Sequence, residues 1–318
     1  MSEKNLMICD KEFLFAEGLA ENVSVRNEFA VKVYACTNID RVLRFQNRKK
    51  IHILIIDERF PAVYRKEIEA EQVFVLTKDR CRDLQENEKE IFKYQSADKI
   101  LAEVFETYCE NTKDNILKSF RKGKHRLIAV YSPLHRIGKT AFALSLGKEL
   151  ARNEKVLYLN FEEYADIGGR FVRTEGRNLG DLLYYMRQEK GNFSLRLTSM
   201  IEKIEELDSI SPINNSVDLK EVTGEEWIEF IGKIQKESMY ETIVLDLSES
   251  MQGLFEVLRM CDRIYMPVLG DEISERKLRC FEENLAHLQF SDIMEKTYQF
   301  TAADDMEEYG IALAKEEW

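Results

Sequence analysis

A chain of 318 residues has room for about two domains of ordinary size, and a hydrophobic content of 44% excludes disorder. The formal net charge of −12 sets the chain against the nucleic-acid backbone unless its Lys and Arg gather in one patch, so DNA is disfavoured as a partner. The six cysteines (Cys9, Cys36, Cys81, Cys109, Cys261, Cys280) form no CxxC pair, the N-terminus MSEKNLMICD has no signal-peptide pattern, and no apolar run approaches the roughly 20 residues of a membrane helix; a cytoplasmic protein with core cysteines is expected.

In chain order, Leu6–Cys9 is a short buried run and KEFLFAEGLAENV follows at helical spacing. FAVKVYA reads as a strand and NIDRVLRFQN as a helix. Ile51–Asp57 (IHILIID) is the strongest strand of the region, with Gln72–Thr77 and Ile91–Tyr94 as two more. Ser96–Asn111 reads as an amphipathic helix with Ser96 as its N-cap. Residues 1–112 are thus expected to form one domain. The basic stretch Lys118–Arg126 marks a linker over 113–125, either a solvated connector or a patch for anionic lipid or nucleic acid. From 126 to 318 the alternation resumes: RLIAVYS, KVLYLNFEE, YETIVLDLSES and DRIYMPVLG as strands, the last ending at Pro267. Between and after them, TAFALSLGKELARN, LGDLLYYMRQ, SLRLTSMIEKIEEL, EEWIEFIGKIQKES, GLFEVLRMC and SERKLRCFEENLAHL read as helices. Apolar strands alternating with helices predict an α/β protein of two doubly wound parallel-sheet domains, with ligands beyond the carboxyl ends of the strands.

Between RLIAVYS and its helix lies PLHRIGKT, Pro133–Thr140. A strand that turns through GKT into a helix points backbone amides and the helix N-terminus at phosphates. In that arrangement the loop Pro133, Leu134, His135, Arg136, Ile137, Gly138, Lys139, Thr140, with Ala141 behind it, cradles ATP; Lys139 supplies a point charge and the Thr140 hydroxyl ligates Mg²⁺. The competing reading is a chance GKT at an ordinary helix start. Asp246 closes the apolar run TIVLD, a position from which a carboxylate holds the Mg²⁺ shell, or merely caps a turn.

The order of these segments resembles the MinD/ParA group of deviant-Walker ATPases, whose loop reads GKGGxGKT. Pro133 falls on the first glycine, Leu134 on the signature lysine that reaches a partner subunit's phosphates, and His135 and Arg136 on two glycines, while Ile137–Thr140 match. The resemblance implies Lys139, Glu162 and Asp246 as catalytic residues, with Asn160 and Glu162 of LNFEE at the family's DxD positions; Glu162 reads equally as a solvent-exposed loop acid. It also implies Pro267 to Asp271 as backbone for the base, and DIGGR (Asp166–Arg170) is a loop near the γ-phosphate or simply a turn; Arg136, two residues from Leu134 and with a longer fork, is the candidate to replace the lost lysine.

Residues 4–111 resemble a response-regulator receiver: Asp57 in IIDERFP as acceptor, Asp10 and Glu12 as the acidic pair, Thr77 as switch hydroxyl and Lys93 as the conserved lysine. Lys11 lies where another acid is common, and its ammonium is a candidate to replace a metal. Phosphorylation at Asp57 and a pseudo-receiver used for pairing or docking are both open. A receiver-like domain before a deviant-Walker domain resembles the CpaE/TadZ family. That resemblance implies a homodimeric, ATP-binding, weakly hydrolysing switch that localises or assembles a Tad-type pilus or secretion machine at a cell pole. The alternatives are a ParA-like DNA-partitioning ATPase and a non-hydrolysing ATP-bound scaffold. The acidic end DDMEEYGIALAKEEW argues against a basic membrane-binding helix of the MinD kind. His52, His125 and His287 read as structural, and Leu182–Tyr185 and Trp227 as core or dimer-face residues on amphipathic helices.

Overall fold

The computed structural model describes residues 4–25, 29–79, 83–112, 125–165, 178–188 and 192–317; most of the basic stretch, DIGGR and Cys81 lie outside them. The first half runs β1 (Lys4–Cys9), α1 (Phe13–Val25), β2 (Val31–Cys36), α2 (Ile39–Gln46), β3 (Ile51–Asp57), α3 (Ala62–Arg65), β4 (Ala70–Thr77), β5 (Glu88–Phe92) and α4 (Ala97–Thr112). The second half continues with β6 (Arg126–Val130), α5 (Lys139–Ala151), β7 (Val156–Asn160), α6 (Leu179–Arg187), α7 (Phe193–Ser199), β8 (Glu202–Ile204), β9 (Leu207–Ile210), α8 (Ser216–Glu221) and α9 (Gly224–Glu237). It ends with β10 (Thr242–Asp246), α10 (Leu254–Met260), β11 (Arg263–Val268), α11 (Glu272–His287), α12 (Asp292–Glu295), β12 (Thr297–Thr301) and α13 (Met306–Glu317).

The chain forms two compact units, residues 1–120 with 191–199, and 121–190 with 200–318. In unit 1 five parallel strands stand in the order β2-β1-β3-β4-β5. This is the flavodoxin-like order, whose switch point lies between the carboxyl ends of β1 and β3. Both faces are covered, which is why Ile53–Ile56 of β3 form a continuous apolar run. Leu6, Ile8, Ile53 and Ile55 pack under α1 and α4, while Met7, Cys9, Leu54 and Ile56 face Val42 of α2, Phe60 and Ile68. Ser96 caps α4 as expected, its Oγ accepting from Lys99 N at 3.3 Å. Leu195 of α7 joins this core, and the Arg196 guanidinium stands 3.5 Å from Glu106 on α4.

Unit 2 has seven strands in the order β12-β11-β6-β10-β7-β9-β8, parallel except for the β8–β9 pair. The reading of Ser194–Leu207 as one helix is corrected here. The helix ends at Ser199, and EKIEEL makes a tight antiparallel turn with Glu205 left-handed at φ 59. Glu, Lys and Ile at helical spacing suit a helix locally, but β9 pairs with β7 and extends the sheet, so tertiary pairing wins. The strand expected to end at Pro267 continues to Val268, and β12 pairs beside it. Tyr265 O accepts from Tyr131 N, so Pro267, two residues on, faces the side that β6 has already left; its missing N–H costs no ladder bond. Cys9, Cys36, Cys109 and Cys261 are buried and Cys280 is exposed, all as free thiols. Trp227 is fully buried against Phe161 and Phe230.

Candidate nucleotide site and a closed carboxylate cluster

In unit 2, register decides which side chains meet. β10 lies between β6 and β7, with Asp246 level with Val130 on one side and Asn160 on the other. The three strand ends therefore open together, directly under the Pro133–Thr140 loop. Leu247 N donates back to Val130 O and Phe161 N to Asp246 O, which ties the outgoing segments to this edge.

The loop closes onto α5 through Gly138, left-handed at φ 75, where a Cβ would come 2.6 Å from Met306 Cγ of α13. Only glycine suits that backbone and that contact. Arg136 is also left-handed, at φ 59, and exposed with His135, whose Nε2 lies 3.4 Å from Glu249. Leu134 and Ile137 are buried. Leu134 N donates to Ser132 Oγ at 3.1 Å, while among the described residues no acceptor meets the amides of His135 to Thr140. Lys139, the first residue of α5, is buried; its Nζ donates to Leu247 O at 3.2 Å and pairs with Glu162 Oε1 at 3.0 Å.

Asp246 is fully buried. Tyr158 Oη donates to its Oδ2 at 3.0 Å, and Asn160 Nδ2 donates to Tyr158 Oη at 2.9 Å. Among the described residues Oδ1 meets no hydrogen-bond donor. Burial pushes the Asp246 carboxyl up to about 6; nearby Thr140 lowers it, Glu162 raises it and Lys139 lowers it. An unmatched carboxylate oxygen in a dry setting beside a threonine hydroxyl suits a hard cation, so Asp246 and Thr140 fit Mg²⁺. Asn160 Oδ1 accepts from Glu162 N at 2.7 Å and fixes the turn that presents Glu162. Pro267 is buried in β11, and Pro133 and Ala141 are half-buried. Tyr158, the residue that holds Asp246, escaped the sequence reading; its only signal was a polar-tipped aromatic in an otherwise aliphatic strand.

Unit 1 gathers a second cluster. Asp10 and Asp57 stand at the adjacent ends of β1 and β3, and Lys93 follows β5. Lys93 Nζ lies 2.7 Å from Asp10 Oδ2, 3.2 Å from Glu12 Oε1 and 2.9 Å from Asp57 Oδ2. Thr77 stands apart from these contacts, its hydroxyl donating to Ile91 O at 3.4 Å. The expectation that Lys11 enters the cluster fails: its Nζ sits over the Phe60 ring, 5.2 Å from the centroid. Arg59 enters instead. Its Nη2 is 3.2 Å from Asp10 Oδ1, 2.8 Å from Glu12 Oε1 and 2.6 Å from Asp57 Oδ2. The sequence did hold a signal, since a side chain two residues past a strand-end Asp can fold back onto it.

Burial raises the Asp57 carboxyl, but hydrogen bonds from Arg59 and Lys93 outweigh it and hold the group well below the usual carboxylate range. Burial also raises Asp10, and there it prevails over Lys93. Lys93 is held above its ordinary value because Asp10 and Asp57 outweigh its burial. The oxygens of Asp10, Glu12 and Asp57 lie within 4.8 Å of one another, the spacing of a divalent-metal cage. With Arg59 and Lys93 on the same oxygens, the cluster does not fit a metal.

No protein-family model and no curated protein matches the chain. Among solved structures it is similar to a plasmid partition protein from Borrelia burgdorferi, at 16% identity over 62% of this chain and 100% of that one, with a TM-score of 0.46. It is also similar to a ParA family ATPase from Chlorobium tepidum, at 14% identity over 60% and 90%, with a TM-score of 0.44. An ATP complex of McdA from Cyanothece aligns at 13% identity over 61% and 79%, again at 0.44. At these scores the likeness adds nothing to the reading of the site, which rests on its own residues.

Proposed function

We propose that unit 2 binds ATP and Mg²⁺ through the Pro133–Thr140 loop and acts as a homodimerising, weakly hydrolysing switch that localises or assembles a Tad-type pilus or secretion machine. The observation that carries the nucleotide reading is the buried Oδ1 of Asp246, unmet among the described residues, beneath a loop whose amides find no acceptor among them. In this reading Lys139 turns from Glu162 and the Leu247 carbonyl to phosphate oxygens. Loop amides and the α5 N-terminus take the remaining charge. Thr140 and Asp246 hold Mg²⁺, which neutralises phosphate charge when bound. Tyr158 and Asn160 keep Oδ2 occupied and leave the buried Oδ1 for the cation. Glu162, released from Lys139, is the carboxylate left to orient water. The pilus role, the partners and the polar location rest on the resemblance of PLHRIGKT, LDL and IIDERFP to the CpaE/TadZ pattern, with unit 1 as a receiver-like docking module.

A second reading, an ATP-bound scaffold without turnover, is favoured by Leu134. The position of the signature lysine carries a buried aliphatic side chain, leaving exposed Arg136 as the nearest cation. Calorimetry with Mg·ATP on wild type and Lys139→Ala tests the site. Wild type is expected to bind at least about tenfold more tightly, the weight of one charged phosphate contact. Equal affinities, or no heat from either protein, sink the nucleotide reading. Phosphate release then separates the two forms of it: a wild-type rate above that of Lys139→Ala supports the switch, and equal rates support the scaffold. A DNA titration at low salt tests the partition alternative, and the net charge of −12 predicts no binding.

A further inference from the structure

We infer that Arg59 is the resident cation of the unit 1 cluster. Its guanidinium takes the position a divalent metal would occupy, so the unit is complete without metal, and removing Arg59 opens a divalent-cation site. The inference stands on the cluster's geometry alone and does not depend on nucleotide binding by unit 2.

Three carboxylates converge at the carboxyl ends of β1 and β3, close enough for one ion to touch all three. Two cationic atoms touch all three: Arg59 Nη2, at 2.6 to 3.2 Å, and Lys93 Nζ, at 2.7 to 3.2 Å. The rest of Arg59 binds Asp57: its backbone N donates to Oδ1 at 2.8 Å, and Nε lies 2.9 Å from Oδ1 and 3.0 Å from Oδ2. An incoming ion would have to break this whole set and leave a guanidinium, which cannot shed its proton, beside itself. Lys93 bonds the same oxygens, Asp10 Oδ1, Glu12 Oε1 and Asp57 Oδ2, but it is buried while Arg59 is partly exposed, so Arg59 stands at the side from which an ion enters.

Charge balance points the same way. With Arg59 and Lys93 the three carboxylates keep one net negative charge, which the half-exposed Glu12 can share with water. Without Arg59 the net charge is two negatives in a largely buried pocket, the condition a divalent cation relieves. Asp57 is also fully engaged: Oδ1 accepts from Arg59 N and Nε, and Oδ2 from Arg59 and Lys93. Neither oxygen is free to attack a phosphoryl donor, so the unit holds one state independent of metal and of phosphorylation at Asp57.

Equilibrium dialysis of the full chain against millimolar Mn²⁺, without nucleotide, tests this. Wild type and Glu12→Gln are expected to retain the same number of ions, because none sits in the cluster. Arg59→Ala is expected to gain one ion, and Arg59→Ala/Glu12→Gln to hold it roughly tenfold more weakly. Any ion held elsewhere, including in unit 2, is common to all four proteins and cancels. Circular dichroism verifies folding, and Arg59→Gln replaces the alanine variant should that fail to fold. Loss of an ion from wild type on Glu12→Gln substitution overturns the inference, whatever the Arg59 variants do. So does a folded Arg59 variant that gains no ion.

Discussion

Asp246 keeps its proton in the folded chain over an interval in which the unfolded chain has lost it, from 3.8 to about 6, because burial raises the folded value. The native state binds more protons there, so stability falls as pH rises through that interval. Asp246→Asn stays neutral and removes this slope. It is expected to stabilise the nucleotide-free protein above the interval by at most about 3 kcal/mol, and to leave it unchanged below. Urea unfolding on either side of the interval measures both; a destabilised variant above it contradicts the account. The same substitution is expected to abolish the Mg²⁺-dependent part of nucleotide affinity. Glu162 affects nucleotide binding in the opposite sense. It holds Lys139 Nζ at 3.0 Å and so competes with any phosphate for that ammonium. Glu162→Gln is therefore expected to tighten Mg²⁺-free nucleotide binding by up to about fivefold, the weight of a partly exposed ion pair. Weaker binding in that titration would show that the carboxylate helps rather than competes.

The loop depends on elements that are remote in sequence. α13 packs along α5, and Met306 at its start covers Gly138. Gly310, a turn further on, is the contact that sets how closely the two helices approach. A Cβ there would lie 2.2 Å from Ser145 Oγ and 2.9 Å from Phe142 O. The hydroxyl can swing aside, but the carbonyl can move only with α5. Gly310→Ala gains about 1 kcal/mol of helix propensity and loses more to overpacking, for a net cost of about 1–2 kcal/mol in the melting of unit 2. A stabilised variant would show that α13 slides freely. Other elements were legible as local patterns. Ile53–Ile56 of IHILIID and Ile243–Leu245 of TIVLD are continuous apolar runs because both strands are covered on two faces. EKIEEL was not legible, because its residues favour a helix and only the β7 edge beside β9 makes it a hairpin.

Each of the two units has its own buried core, and calorimetry is expected to resolve a transition for each. Mg·ATP should raise only the transition of unit 2. Chain order would assign α7 to the second half, yet Leu195 is buried in the unit 1 core with Ile100, Val104 and Tyr108. Leu195→Ala is therefore expected to cost about 2–4 kcal/mol in the unit 1 transition and to leave the other in place. A shift confined to the ATP-sensitive transition would place that helix in the wrong core.

The sequence by itself determined that the protein is α/β, where most strands and helices run, and that Lys139 and Asp246 stand at strand–helix and strand–loop boundaries. These properties are written in the local period of apolar residues, which neighbouring side chains settle among themselves. Only the tertiary structure decided which charges meet. Asp10 and Lys93 are 83 positions apart, and it is the β2-β1-β3-β4-β5 order that brings them together. Arg59 rather than Lys11 joins them because side-chain direction at a strand end is set by the packing around it: Lys11 lies over the Phe60 ring, and Arg59 folds back into the carboxylates. Ion pairs between distant segments follow strand order and register, and neither is written in the residues that form the pair.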